Sequence, residues 1–149
     1  MGSFEARNPA FAERVRDSFN RQGAMALLGA ELTRVAPGIC EIRLDYRPEV
    51  SQQHGYIHGG IVGTIADSAG GYAAFTLMAA DSSVLTVEYK LNLLAPADGE
   101  WIIARARVVK PGRSLVVSAI DVVVNKQGRE TLCATSLQTL MTMHGRPDR

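Results

Sequence analysis

Cysteine is scarce: Cys40 and Cys133 are the only two in 149 residues. They form no C-x-x-C pair and have no ligand-like spacing to histidine, which argues against a disulfide framework or a zinc site and for two reduced core residues. Charge of one sign is also lacking. Sixteen Lys and Arg face fifteen Asp and Glu, for a net charge of +1. No general attraction to nucleic acid or an anionic membrane follows from that balance, so an anionic ligand needs a local cluster. No apolar run approaches the length of a membrane span. The start, Met1 to Phe11, carries Glu5, Arg7 and Asn8 and has no apolar stretch, so a signal peptide is not expected. Met1-Gly2 is not followed by Ser or Thr at position 6, which disfavours myristoylation. A cytoplasmic location is the expectation. G-x-S-x-G is missing, as are G-x-x-x-x-G-K-[ST] and G-x-G-x-x-G. Their absence disfavours a serine triad and sites for nucleoside triphosphates or dinucleotides.

The residues that are present suit one domain over 1–149. Asn8 and Pro9 predict the cap and first turn of a helix over about 8–22, with Phe11, Val15 and Phe19 as its apolar stripe and Gly23 as its end. Ala24 to Leu28 adds a short turn. Gly38 to Tyr46 reads as a strand with one wet face. A long helix is expected from about Gly59 to Ala80. Four strands then follow: Val84 to Leu94, Glu100 to Lys110, Ser114 to Asn125 and Thr131 to Met141. Pro96-Ala97-Asp98-Gly99, Pro111-Gly112 and Lys126-Gln127-Gly128 punctuate them as turns. The order is helix, strand, helix, four strands, an α+β layout in which the long helix packs across an antiparallel sheet. Gly145 to Arg149 reads as a frayed tail.

On a helical wheel, Ile61, Val62, Ile65, Ala69, Tyr72, Phe75 and Thr76 fall on one side of the long helix. Gly63, Ala66, Asp67, Gly70, Gly71 and Ala74 fall on the other. Each interior glycine costs a helix about 1 kcal/mol relative to alanine, so three of them call for a close neighbour. Asp67 is the only charge among residues 61–76. It is either a solvated aspartate or a carboxylate made reactive by close packing. His58-Gly59-Gly60 stands just ahead, where a helix offers unpaired N–H groups and a positive dipole end. That is either a plain helix start or a place for a developing oxyanion. Gly59 and Asp67 are eight residues apart, about 12 Å along the axis at 1.5 Å per residue. If both act on one bond, the aspartate must come from a second copy, and the protein must be a dimer with antiparallel helices at its interface.

Gln52-Gln53-His54-Gly55-Tyr56-Ile57-His58-Gly59-Gly60, with Ala66-Asp67 beyond it, resembles the signature of the phenylacetate-pathway, PaaI-like hot-dog thioesterases. Val87 to Gly99 and Val108 to Ser114 are similar to later stretches of that family, so the likeness covers about residues 25 to 142. It implies the hot-dog fold, a curved antiparallel sheet wrapped around a long central helix, and homodimers, often tetramers, with shared sites. It also implies hydrolysis of acyl-CoA to free acid and CoA. In that reading Gly59 is the backbone donor to the thioester carbonyl and Gly60 continues the helix start. Asp67 is the nucleophile or the base on a water, His58 shapes the turn, and Thr86 helps to hold the water. Gln52 stands where the family has asparagine, with one more methylene, which bears on rate and substrate preference.

Lys110, Arg113 and Ser114 are candidate contacts for the CoA phosphates, with Lys90 a weaker one. Tyr72, Tyr56, Phe75 and Met78 are candidate linings for the acyl group. No metal or other cofactor is expected: His54 and His58 lack a third ligand at suitable spacing, and CoA is part of the substrate. The expected partners are acyl-CoA and a second copy of the chain, without nucleic acid or membrane. Two rivals stand beside the hydrolase, a non-catalytic acyl-CoA sensor and a hot-dog hydratase acting on enoyl or hydroxyacyl thioesters.

Overall fold

A computed structural model describes residues 4–149; the Met1-Gly2 start lies outside them. Six strands form one antiparallel sheet in the order β1-β2-β4-β5-β6-β3. They are β1 (Glu31–Ala36), β2 (Ile39–Asp45), β3 (Ser83–Leu93), β4 (Trp101–Lys110), β5 (Leu115–Lys126) and β6 (Arg129–Met143). Among the described residues three α-helices accompany them, α1 (Phe11–Arg21), α2 (Gly23–Leu28) and α3 (Gly59–Phe75), with a single 3-10 turn at Pro48–Val50. The sheet curls around α3, giving the hot-dog arrangement.

The curl explains why α3 lacks the one-sided pattern of a surface helix. Its bulky side is buried at Val62, Ile65 and Phe75, and so is its small side at Gly63, Ala66, Gly70, Gly71 and Ala74. A Cβ on Gly70 would stand 1.9 Å from Gln138 Oε1 and 2.8 Å from Ile120 Cδ1, so sheet and helix backbone meet there with no room for a side chain. Phe75, Ile42, Leu44, Ile65, Ile102, Ile120 and Leu140 form the interior and are essentially inaccessible. Both cysteines are buried and unpaired, as expected. Burial raises both thiol pKa values, that of Cys133 to about 11, which keeps them protonated and unreactive.

Several expectations need correction. Asn8 is not the helix cap: its side chain accepts from Ala10 N at 3.0 Å in a turn ahead of α1, whose cap position is Ala10. Gly23 opens α2, and it is Gln22 that ends α1. The long helix stops at Phe75 instead of running to Ala80. Thr76 turns its hydroxyl onto Ala73 O at 2.6 Å, and the Arg14 guanidinium holds the carbonyls of Phe75, Met78 and Ala79. The expected layout lacked β1 altogether. It is an exposed edge strand, interrupted by a bulge between Leu32 and Arg34, and so carries no clean alternation. The final four strands do not pair in simple succession. β4, β5 and β6 form a meander, whereas β3 skips β4 and pairs only with β6. The tail is not loose throughout, since Asp148 pairs with Arg21 at 2.6 Å.

A second bulge positions the site. Between Thr86 and Glu88, β3 advances two residues while β6 advances one. Val87 is the extra residue. Strand side chains alternate between faces, so Thr86 and Tyr89, three residues apart, would point opposite ways in this sequence without the bulge. With it Thr86, Tyr89, Leu91 and Leu93 all reach α3, at Asp67, Gly63 and Gly59.

Candidate active site

Asp67 is half-buried on α3, and its carboxylate is gripped from the sheet side. Thr86 Oγ1 donates to Asp67 Oδ1 at 2.7 Å, and Gln138 Nε2 donates to the same oxygen at 2.5 Å. Gln138 Nε2 also reaches Asp67 O at 3.2 Å and Thr86 Oγ1 at 3.1 Å. Two donors on one oxygen fix the carboxylate plane and leave Oδ2 for other chemistry. A cavity of about 360 Å³ opens beside this group, and Tyr72 lines it with Asp67 and Thr86.

The start of α3 forms a second group. His58 is the N-cap, and its Nδ1 accepts from Gly60 N at 2.9 Å. That bond puts the neutral ring's proton on Nε2 and occupies the Gly60 donor, while Ile61 N and Val62 N go to His58 O. Gly59 N is thus the first-turn N–H left without a protein acceptor among the described residues, aligned with the positive end of the helix dipole. The loop before it is tied down by Gln52 N to Tyr56 O at 2.8 Å and His58 N to Val50 O at 2.9 Å. The Gln52 side-chain oxygen takes His54 N, which directs the amide NH₂ away from that turn. Gln52, Tyr56 and Gly59 share a cavity of about 450 Å³ with Val62, Leu93 and Cys133.

The expected residues therefore assemble into two groups within one chain. Asp67, Thr86 and Tyr72 border one cavity, and Gln52 and Gly59 border another. The eight-residue spacing along a straight helix keeps the two apart. Lys110, Arg113 and Ser114 join neither. They lie exposed at the β4–β5 turn, and Arg113 lines a separate space with Met78 and Thr142. Phe75 and Met78 are core, not lining of the Asp67 cavity. Among the described residues no group of three or more His, Cys, Asp or Glu side chains is placed to hold a metal.

Gln138 was not foreseen. It is fully buried, a rare place for glutamine. No local signal marks it, because the inward positions of β6 mix Ser136, Gln138 and Thr142 with Ala134 and Leu140. Replacement of Gln138 by methionine, which has similar length, is expected to lower kcat roughly tenfold with KM nearly unchanged. One charge-assisted hydrogen bond is worth about 1.5–3 kcal/mol, and here it serves geometry, not substrate binding. Steady-state kinetics of the variant beside wild type is the check, and an unchanged kcat would remove Gln138 from the site.

Comparison with known proteins agrees with the fold. The Thioesterase superfamily model matches residues 54–131, from His54 of the loop into β6. A thioesterase family protein from Silicibacter pomeroyi is 49% identical in sequence, with a TM-score of 0.89, covering 91% of this chain and 99% of its own. The 1,4-dihydroxy-2-naphthoyl-CoA hydrolase of Listeria monocytogenes is 28% identical over 100 residues, 67% of this chain and 81% of that protein. The E. coli PaaI protein of the phenylacetic acid degradation operon has a TM-score of 0.83, covering 95% of this chain and 99% of its own, at 17% identity, a likeness of fold alone.

Proposed function

The chain belongs to the Thioesterase superfamily and is a thioesterase, and from that premise we propose that it hydrolyses acyl-CoA to the free acid and CoA at a site shared by two subunits. The observation that carries the reading is the separation of the two groups, a held carboxylate at Asp67 and a free helix N–H at Gly59. Each is half of a hydrolytic centre. A thioester carbonyl placed against the Gly59 N–H of one subunit meets Asp67 of the other. The N–H and the helix dipole stabilise the oxyanion as the tetrahedral carbon forms. Asp67 Oδ2 takes the proton of a water that Thr86 helps to orient as that water adds to the carbonyl carbon, and the thiolate of CoA departs; alternatively Oδ2 attacks the carbon itself, expels the thiolate, and the resulting anhydride is opened by water to the free acid and Asp67. Gln52 borders the carbonyl side with its amide. His58 acts at one remove, holding Gly60 N so that the turn presents Gly59. Lys110, Arg113 and Ser114 are the proposed phosphate contacts, exposed and free of ion pairs among the described residues. The chemistry asks for no metal or cofactor.

The outer strand supports the dimer. β3 pairs on one side only, and along it Leu85, Val87, Tyr89 and Leu93 are 45–58% exposed. A long apolar edge of that kind invites a second strand. Pairing of two β3 edges sets the two α3 helices antiparallel, as the shared site requires. Leu115, Leu137 and Met141 leave a further apolar area suited to tetramer contacts. Light scattering should report a dimer or tetramer. Glu or Lys at Val87 should shift the protein toward monomer and abolish turnover together, and an active monomer would contradict the shared site. The first test of the activity is thiol release from a panel of aromatic and aliphatic acyl-CoAs, read with a thiol-reactive dye. Ligand affinity with no thiol release would favour a sensor, and loss of enoyl absorbance without thiol release would favour a hydratase. Among the described residues no helix is long and apolar enough to cross a membrane.

A further inference from the structure

The segment after β6 returns to the helix that walls the Asp67 cavity. β6 ends at Met143, and Gly145 turns the chain with a φ of +65°, in the left-handed region. Nothing lies within 4 Å of a Cβ placed there, so the turn itself, not crowding, calls for glycine. Residues 146–149 then run without regular structure to α1. Asp148 Oδ2 meets Arg21 Nη2 at 2.6 Å, across 127 residues of sequence. Among the described residues the other hydrogen bond of that stretch is a long one, Arg146 N to Met143 O at 3.4 Å.

Arg21 and Asp148 stand between two spaces. On one side both border the cavity of about 360 Å³ that holds Asp67 and Thr86. On the other both border a space of about 270 Å³ with Glu13, Arg14 and Asp17 of α1. The ion pair is a partition, and its release joins the two. α1 itself is fixed: Val15 is in the core, Arg14 holds the carbonyls beyond α3, and Gln22 Nε2 donates to Tyr72 Oη at 2.8 Å. The part of this wall held by one exposed pair is the stretch after Gly145. Arg21 also has a second carboxylate in reach, Asp17, four residues earlier on the exposed side of its own helix. It can leave Asp148 without losing an acidic partner, which brings the closed and open arrangements close in energy.

We propose that residues 144–149 form a strap that restricts entry to the Asp67 cavity, latched by the Arg21–Asp148 pair and released as ionic strength rises. The proposal rests on the acyl-CoA hydrolase reading and adds the regulation of that site. Only the open form admits substrate, so the closed share lowers the apparent kcat/KM in proportion. An exposed ion pair shifts such a balance by up to about fivefold and loses its hold as salt screens it. The latch is a graded brake that responds to the ions around the protein.

The test is thiol release from one acyl-CoA that the wild type hydrolyses, at ionic strengths of about 0.01 M and about 1 M, where charges are felt over about 30 Å and about 3 Å. At the lower value Asp148→Asn should raise kcat/KM about two- to fivefold over wild type. Gly145→Ala, which keeps every charge but strains the turn, should do the same. Arg21→Gln should match them, and Asp148→Asn added to it should gain nothing more. At the higher value all these ratios should fall toward one. Comparing each variant with wild type at equal salt cancels the effect of screening on CoA itself. Tm should hold, since none of the three residues belongs to the core. Variants equal to wild type at both ionic strengths overturn the strap and leave the hydrolase intact. A lower kcat/KM in Asp148→Asn also overturns it and makes the segment a substrate contact. A gain that salt does not remove overturns it too, because the ion pair is then not the latch. Absence of thiol release from every acyl-CoA overturns the hydrolase reading and this one with it.

Discussion

Asp67→Asn is expected to lose about 10²–10⁴-fold in turnover, the range for removing a general base or nucleophile, while the protein stays folded. Survival of the fold follows from how the carboxylate is held. Thr86 and Gln138 both donate to the same oxygen, Oδ1. An asparagine placed with its carbonyl oxygen there keeps both bonds and nearly the same volume. Only Oδ2 is exchanged, for an NH₂ that neither accepts a proton from water nor attacks a carbonyl. Thiol release, run beside thermal unfolding and light scattering, separates lost chemistry from lost structure. A folded variant with wild-type turnover would show that Asp67 is not the acid of this site.

Gly59→Pro should cost about 10²–10³-fold, as removal of an oxyanion donor does elsewhere. Proline deletes the Gly59 N–H at the first position of α3, where helices accept it. His58 already has the extended conformation that precedes proline, φ −61° and ψ 135°. The added ring presses on Leu93 Cδ1, the end of a movable side chain. This variant also tests the shared site. Mix it in equal amounts with Asp67→Asn, each inactive alone, and let the subunits exchange. Half of the dimers are then mixed, and each carries one intact pair of Gly59 and Asp67 and one doubly defective pair. Activity should return to about one quarter of wild type by the statistics of a twofold dimer. No recovery, with exchange demonstrated by a tag, would place both groups in the same subunit.

What the sequence disclosed and what it hid divide along contact distance. The start of α3, its glycines, Asp67 and the later strands are written in neighbouring residues, through helical spacing and turn punctuation. In the structure the two groups line separate cavities, a separation that the rise of a helix already implied. The hidden parts are long-range. Gln138 meets Asp67 from 71 residues away and Gln22 meets Tyr72 from 50 away. No local pattern announces either. Gly70 and Gly71 look alike on a wheel, yet one is required by the sheet and the other borders open space. Gly70→Ala should therefore lower Tm by displacing Gln138, where Gly71→Ala does not. β1 leaves no mark in the sequence because its bulge and exposure erase alternation, and the pairing of β3 with β6 is equally silent, because succession in the chain is a poor guide to who pairs with whom.

The extra residue at Val87 makes β3 a strand with two phases. Ahead of it the inward beat falls on Thr86; after it the beat falls on Tyr89, Leu91 and Leu93. The first phase serves the carboxylate and the second serves the glycine end of the helix, so the two halves of the centre are tuned on one strand without sharing a rhythm. Removing that single residue would not trim a loop. It would leave Thr86 two places from Tyr89 and restore one unbroken alternation against β6, erasing the second phase along with the bend and added twist that a bulge gives a strand.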